Sequence, residues 1–475
     1  YLVLLATGLW LLLFYRVGSP WESVAWLTAN PWIGNWVRGL HRYASDLAVV
    51  ATLVHAFRMF AQRRSWGPHA LAWMSGVGLL ALLMVCGWTG YVMVWDTFGG
   101  LLAREGARLA DTLPVLSEPT SRAFTGESPV PTAFFFLTLF AHVGLPLGAG
   151  VVFWLHIRRV ARAAMLPPRR LLWTIAGALT VTAVLFPLEM APESTPFTLP
   201  ETVPIDLFFA FWLPLSRQMS PGAALAAGLA VVVGLAVVPF LTRPRQDEVP
   251  PSVVDEDLCT GCEQCALDCP YGAIAMTTRA DGRPERLAHV DPSLCVSCGI
   301  CAGSCAPMGI GPPGRTGRDQ LARLRALLAG PDWQPGALVV IGCEQGAARF
   351  GPDITARGGL PLPVSCAGNL HTSVIELLVR GGAGGVLVAG CPPRDCRHRE
   401  GPQWLTARVY HEREAELQAR VDRRRVRVVW VNAADRRGLL AAFDEFAASI
   451  AALPPPAAAR QVEPSAECEP AGARR

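Results

Sequence analysis

The chain has 475 residues, 42 basic against 38 acidic side chains and a formal net charge of +4 at pH 7. Every basic residue is arginine, as codon usage in a GC-rich genome produces, and so small an excess excludes a protein built to bind nucleic acid. Mean hydropathy is +0.32, yet the second half is polar and arginine-rich, so the average joins a membrane part to a soluble part.

Tyr1 to Tyr15 is apolar but too short to cross a bilayer. It reads as the end of a helix that begins before Tyr1, and it lacks the charged start and small-residue cleavage site of a signal peptide. Trp36 to Phe60, Ala70 to Val94, Pro131 to Ile157, Leu171 to Leu188 and Gly222 to Leu241 are long enough to span, making about six membrane helices. His41 and His55 lie 14 residues apart in the first of these, and His142 and His156 repeat that interval in the third. Fourteen residues is just under four helical turns, so each pair shares a helix face with about 21 Å of rise between its members. Ionisable side chains within the membrane mark function, and imidazole is the usual axial ligand of an electron-transfer haem. A helix-packing donor is the alternative for one histidine, and a poor one for two pairs at one interval.

Arg58, Arg63 and Arg64 follow the His41 span; Arg158, Arg159, Arg162, Arg169 and Arg170 follow the His142 span; Arg243 and Arg245 follow the last. Loops so enriched face the cytoplasm. Both histidine spans then run outside to inside, which sets His41 level with His142 near the outer face and His55 level with His156 near the inner face. Two b-type haems fit that ladder.

These residues resemble the cytochrome b of quinol-oxidising complexes, particularly its chloroplast and cyanobacterial form. The likeness covers about Tyr1 to Arg245 and includes Ala6-Thr7-Gly8, Phe14-Tyr15-Arg16, Trp36-Val37-Arg38, His41-Arg42, His55-Ala56-Phe57-Arg58, Thr89-Gly90-Tyr91 and Trp95-Asp96. The resemblance implies that Arg38 and Arg58 pair with haem propionates, as a two-pronged guanidinium suits. It also implies that Gly76 and Gly90 let the backbone pass close to the haem faces; small-residue helix packing is the alternative. A covalently attached extra haem, if present as in the chloroplast form, would take a cysteine before Tyr1. Where the family has Pro-Glu-Trp-Tyr in its outer loop, this chain has Pro204-Ile205-Asp206-Leu207 after Pro196-Phe197. Ile205 stands where the family has its proton-accepting glutamate; Asp206 could substitute, but one position along it is expected to point elsewhere. Cys86 reads as packing.

An acid- and proline-rich linker, Gln246 to Ser252, precedes Cys259, Cys262, Cys265 and Cys269 in the pattern C-x2-C-x2-C-x3-C, followed by Pro270; Cys295, Cys298, Cys301 and Cys305 repeat it. The runs resemble a bacterial-type ferredoxin with two [4Fe-4S] clusters that exchange their fourth ligands. That implies one cluster on Cys259, Cys262, Cys265 and Cys305 and another on Cys295, Cys298, Cys301 and Cys269. Structural zinc has no need of such runs, and the cytoplasmic side disfavours disulfides.

The last third alternates short apolar strands, Ala337 to Ile341, Pro361 to Val364, Gly385 to Ala389 and Arg425 to Val431, with helices at His371 to Arg380 and Arg437 to Ile450. Cys343, Cys366 and Cys391 each stand just past a strand, with Cys396 five residues further on. In a parallel sheet those ends share one edge, so four thiolates can converge on a metal centre. The glycines from Gly381 to Gly385 precede a strand and read as a turn, not a nucleotide loop. Gly390-Cys391-Pro392, Asp395-Cys396, Ser365-Cys366-Ala367-Gly368 and Trp430 resemble the iron-sulfur (delta) subunit of methyl-viologen-reducing hydrogenases. The resemblance implies a [2Fe-2S] cluster, with structural zinc as the alternative; a further cysteine common in that family falls at Gly346. His371 and His398 read as surface residues. The tail from Leu453, including Cys468, reads as disordered.

The expected fold is multi-domain: a transmembrane α-helical haem bundle (1–245), an α+β ferredoxin-like domain (246–315), an α/β parallel-sheet cluster domain (316–452) and a disordered tail (453–475). The expected function is a membrane electron-transfer subunit of a bacterial or archaeal inner membrane. It would link quinone, through haems and clusters on the cytoplasmic side, to a soluble heterodisulfide-reductase-like flavoprotein or to hydrogenase or formate dehydrogenase subunits. No flavin or nicotinamide fingerprint, catalytic triad, nickel set or molybdenum set is evident. The alternatives are a cytochrome bc-type quinol oxidase subunit working with a Rieske protein, and a redox sensor or scaffold; Rieske or cytochrome c subunits and a homodimer are further expected partners.

Overall fold

The structure is a computed structural model that describes residues 1–62, 64–66, 69–113, 118–124, 129–158, 166–195, 197, 200, 202–203, 205–242, 250–331, 333–393, 395–411, 413 and 415–455. Arg63, Arg159, Arg162, Arg243 and Arg245 of the orienting loops, Pro196 and Pro204 of the outer loop, most of the linker, and Cys468 lie outside the described residues, as does the side chain of Arg158. Contacts divide the chain into two compact units, Tyr1–Arg243 and Pro244–Arg475.

The first unit is helical: α1 (Leu2–Leu12), α2 (Pro20–Ala29), α3 (Trp36–Ala61), α4 (Ala70–Val94), α5 (Thr97–Ala110), α6 (Thr132–Arg158), α7 (Arg169–Leu185), α8 (Leu213–Gln218) and α9 (Pro221–Leu241). Among the described residues four helical segments are long and apolar enough to cross a membrane: Pro31–Ala61, Ala70–Val94, Thr132–Ile157 and Pro221–Leu241. The span expected at Leu171 to Leu188 is shorter, because Pro187 drives Phe186 out of helical geometry (φ −123°, ψ 73°) and α7 stops after 17 residues. α3 packs on α1 and α7, while α4 packs on α6 and α9. At the α3–α7 crossing a Cβ on Gly39 would stand 3.3 Å from the Ala183 carbonyl, so only glycine allows that approach without adjustment.

α4 ends at Trp95, a left-handed residue (φ 58°), and Asp96 then caps α5 by accepting from Gly99 N at 2.8 Å. A non-glycine residue in that region costs about 1–3 kcal/mol. Trp95 offsets it by burial against Phe124, Phe134 and Phe135, the last ring edge-on at 4.7 Å.

The second unit begins with two antiparallel ladders, β1 (Val253–Val254) with β4 (Ile310–Gly311) and β2 (Ile274–Thr277) with β3 (Leu287–Val290), plus short helices α10 (Gln264–Leu267) and α11 (Ile300–Ser304). Its remainder is a parallel sheet ordered β6 (Gly359–Val364), β5 (Leu338–Cys343), β7 (Gly385–Gly390), β8 (Val426–Trp430). α12 (Gly317–Ala329), α14 (Thr372–Arg380) and α15 (Gly401–Tyr410) cover one face, through Leu324, Ile375, Leu378 and Leu405. α13 (Gly351–Thr355) and α16 (Arg436–Ala451) cover the other, through Ile354, Leu439, Phe443 and Phe446. Burial on both faces is why β5 and β7 read as unbroken apolar runs. The strand order reverses beside β5, where open parallel sheets place their sites.

Candidate redox centres

α3 and α6 bring the four histidines together in two pairs. The ring centres of His41 and His142 lie 6.3 Å apart, and those of His55 and His156 also 6.3 Å. A metal–imidazole bond is about 2 Å, and the nitrogen sits roughly 1.1 Å from its ring centre. Two imidazoles on opposite sides of one metal therefore stand about 6 Å apart, so both pairs fit axial ligation of a haem iron.

Three of the four rings are oriented by a hydroxyl residue next to a glycine. Thr7, Ser75 and Thr89 donate their own hydroxyl protons to helix carbonyls, of Val3, Leu71 and Cys86. Their oxygens are thereby left to accept from Nδ1 of His41 (2.9 Å), His156 (3.1 Å) and His142 (3.0 Å). Nδ1 then carries the ring proton and Nε2 is free for a metal. The adjoining Gly8, Gly76 and Gly90 lie under the same rings: a Cβ would meet Cε1 of His41, His156 or His142 at 3.3, 3.4 or 3.1 Å. Gly76 and Gly90, expected beside haem faces, thus abut the histidines themselves. Cys86 has a further place here. Pro146 has no N–H for the carbonyl four residues back, that of His142, and Cys86 Sγ lies 3.8 Å from that oxygen.

Arg38 donates to Thr28 Oγ1 at 2.9 Å and to the Leu188 carbonyl at 3.3 Å, while Arg58 lies one turn beyond His55 on α3. Asp206 points inward. It accepts from Arg42 at 2.8 Å, from the Tyr91 hydroxyl, and from the amides of Phe208 and Phe209 at 2.7 Å each, with its side chain 4% exposed. Burial would raise the Asp206 carboxyl, but Tyr91, the two amides and Arg42 outweigh it and hold the group below its usual range. Ile205 beside it is 90% exposed.

In the second unit the two cysteine runs fold alike. Residues two and four places after the first cysteine take positive φ in each, Gly261 and Glu263, then Ser297 and Gly299. Each run is bent by these left-handed residues, and successive amides in such a turn form a concavity that suits an anionic group. Cys259, Cys262, Cys265 and Cys305 line one small cavity; Cys269, Cys295, Cys298 and Cys301 line another. Both combine cysteines from both runs. Amides of Ala273 and Ser252 lie 3.4 Å from Sγ of Cys269 and Cys295. Burial pushes Cys301 up to about 12 and raises Cys265, Cys269, Cys298 and Cys305. Such thiols ionise only when a cationic centre takes up their charge, and four-thiol cages suit cubane clusters.

At the carboxyl edge of the parallel sheet the four remaining described cysteines of this unit form two pairs. Cys391 donates to Cys343 across 3.6 Å and draws the Cys343 thiol down to about 7; a hydrogen bond from Cys366 lowers Cys396 in the same way. Among the described residues no three His, Cys, Asp or Glu side chains are close enough to hold a single metal ion. Gly346 lines this site, since a Cβ there would stand 3.3 Å from Cys391 Sγ.

Family models match the chain in three places: cytochrome b (N-terminal)/b6/petB over residues 46–197, a 4Fe-4S dicluster domain over 258–309, and the delta subunit of methyl-viologen-reducing hydrogenase over 358–454. The three matches follow one another along the chain without overlap. A curated relative, the menaquinol:cytochrome c reductase cytochrome b subunit of Geobacillus thermodenitrificans, is 28% identical over 160 residues, spanning 32% of this chain and 71% of that protein. A solved structure of a hyperthermophilic respiratory complex III aligns at 16% identity and TM-score 0.40, over 50% of this chain and 72% of that one. The cytochrome b match and the apolar spans make this a multi-pass membrane protein, and its domain types imply haem and an iron–sulfur cluster.

The dicluster domain and the hydrogenase-delta domain meet through residues the motifs do not mark. His371, expected at the surface, is 3% exposed, with Nε2 3.2 Å from the Cys305 carbonyl. Ser373 N donates to its Nδ1, so Nε2 is the protonated nitrogen, and burial with the nearby Arg408 charge holds the imidazole down to about 4. His371 is buried because it caps the start of α14, where the two domains pack. His398 is half-buried.

Proposed function

We propose that this protein is a membrane electron-transfer subunit linking the quinone pool to a cytoplasmic redox enzyme. The observation that carries the reading is two histidine pairs at one ring separation in a chain that also holds two four-cysteine cages. Two b-type haems, two [4Fe-4S] clusters and a [2Fe-2S] cluster, when bound, supply one-electron carriers. His41 with His142 and His55 with His156 would hold the haems, with Arg38 and Arg58 placed for propionates. The exchanged cysteine sets would hold the cubanes, and Cys343, Cys366, Cys391 and Cys396 the binuclear centre. Pairing of those four supports a binuclear centre over zinc, whose four thiolates must be mutually close. The arginine-rich loops of the sequence support a cytoplasmic side for the cluster unit, by the positive-inside tendency. Its soluble partner is a flavoprotein, hydrogenase or formate dehydrogenase module, as the hydrogenase-delta likeness suggests.

The cytochrome b relative favours a second reading, a quinol oxidase subunit passing electrons outward. The outer loop argues against it. Ile205 cannot take a proton, and Asp206 is committed to Arg42 and Tyr91. The two readings separate in one assay. Quinol added to the purified complex should reduce haems and clusters together here, whereas haem reduction indifferent to loss of the clusters supports the outward route.

A further inference from the structure

Arg408, on α15, is 1% exposed. Its Nη1 donates to the Ile300 carbonyl (3.3 Å) and Ser304 Oγ (3.1 Å) on α11, and its Nη2 to the Gly368 carbonyl (2.6 Å), two residues after Cys366. Its Nε has no hydrogen-bond acceptor among the described residues. Burying a guanidinium without direct ion pairing costs several kcal/mol in general, and packed hydrocarbon would be the ordinary filling. This cation is kept for some other reason.

Its neighbours suggest which. Its acceptors belong to both sites: the Ile300 carbonyl immediately precedes Cys301 of the second dicluster cage, and Gly368 lies two residues after Cys366 of the sheet-edge site, while a guanidinium keeps its charge at neutral pH. Asp268 is wholly buried beside Cys269 and accepts from Ser304 Oγ at 2.6 Å and from Arg413. The same two sites are tied by Asn369 Nδ2 donating to the carbonyl of Gly299, between Cys298 and Cys301, at 3.0 Å. Glycine is needed at this joint. A Cβ on Gly303 would collide with the Arg408 guanidinium, and one on Gly368 would stand 2.6 Å from Gly401 Cα.

We propose that Arg408 is a positioning residue shared by the Cys269/Cys295/Cys298/Cys301 cage and the Cys343/Cys366/Cys391/Cys396 site, whose charge favours the reduced form of both and whose hydrogen bonds fix the gap an electron crosses between them. The proposal rests on the cluster assignments above. One electron leaves one centre as the other takes it up, with no bond made or broken, and the quinone/quinol couple at one end and the soluble redox enzyme at the other supply or remove it. It also orders the path: the Cys269-containing cage is the neighbour of the sheet-edge site. A positive charge stabilises whichever centre has gained an electron, so its removal moves both potentials negative.

The test uses the full chain in detergent under anaerobic conditions. Iron, acid-labile sulfide and EPR spectra of the parent come first; absence of either centre there defeats the cluster assignments themselves. With both present, Arg408→Met should shift both midpoint potentials negative, and Arg408→Lys should restore most of the shift. A shift at only one centre, or at neither, overturns the shared role while leaving the assignments intact. Should Arg408→Met fail to assemble, the fully reduced parent decides: magnetic interaction between the two centres supports the joint, and two isolated spectra overturn it.

Discussion

The Sγ atoms of Cys343 and Cys391 lie 3.6 Å apart, and Cys366 with Cys396 makes a second hydrogen-bonded pair. Four thiolates around one zinc, each about 2.3 Å from the metal, would all stand about 3.8 Å from one another. Two separate pairs suit two metals. Purified protein should therefore contain iron and acid-labile sulfide beyond the cubane complement, and Cys391→Ser should remove a [2Fe-2S] EPR signal while sparing the others. Stoichiometric zinc lost in that variant would contradict the assignment.

Gly90 and Gly148 make a controlled pair. A Cβ at Gly90 would press His142 Cε1 at 3.1 Å, while one at Gly148 meets nothing within 4 Å. Gly90→Ala should tilt the imidazole and lower occupancy of the haem proposed on His41 and His142, read as a reduced haem-to-protein ratio. Gly148→Ala should retain both haems and gain up to about 1 kcal/mol from helix propensity.

Thr89→Val keeps the side-chain shape and deletes the oxygen that accepts from His142 Nδ1. With one acceptor fewer, the ring becomes a weaker base, and a less basic ligand stabilises the oxidised iron less. On the proposed ligation, the potential of the haem held by His41 and His142 should rise while that held by His55 and His156 is unmoved, at a stability cost of about 1 kcal/mol. Equal shifts in a spectroelectrochemical titration would show that the change is not local.

Asp206 contributes stability that depends on pH. Its carboxyl titrates below the unfolded value of about 3.9, so its contribution is present above that pH and fades as pH falls through the folded value. The charged groups facing it are Arg42, with Asp46 on the same arginine, and the Tyr91 hydroxyl. Asp206→Asn should cost about 1–3 kcal/mol at neutral pH and flatten the acid limb of thermal stability. A variant as acid-sensitive as the parent would assign that limb to other groups.

Much of this was readable because spacing carries it. The interval from His41 to His55 repeats from His142 to His156, and cysteine runs encode local wrapping, so neither needs knowledge of packing. Thr7-Gly8, Ser75-Gly76 and Thr89-Gly90 were legible in part: the two α4 glycines stand out by their interval, and the hydroxyl residue before each was the missed signal. His371 and Arg408 were not legible. Their burial comes from two domains meeting across long sequence separations, Arg408 to Ile300 being 108 residues, and an arginine or histidine read alone defaults to the surface. The partners of Asp206 were not legible, because a one-place shift from the glutamate position says nothing of the Arg42 and Tyr91 side chains that hold it.

The most direct test of the central claim is a rapid-mixing experiment on pre-reduced full-chain protein. A water-soluble quinone is added, haem absorbance is followed optically, and clusters are followed by freeze-quench EPR, in the parent and in His55→Leu. The account predicts that haems and clusters reoxidise together in the parent and that clusters stay reduced in the variant, which lacks the inner haem. Clusters that reoxidise at the parent rate without that haem would contradict a path from quinone through the membrane histidines to the cysteine cages.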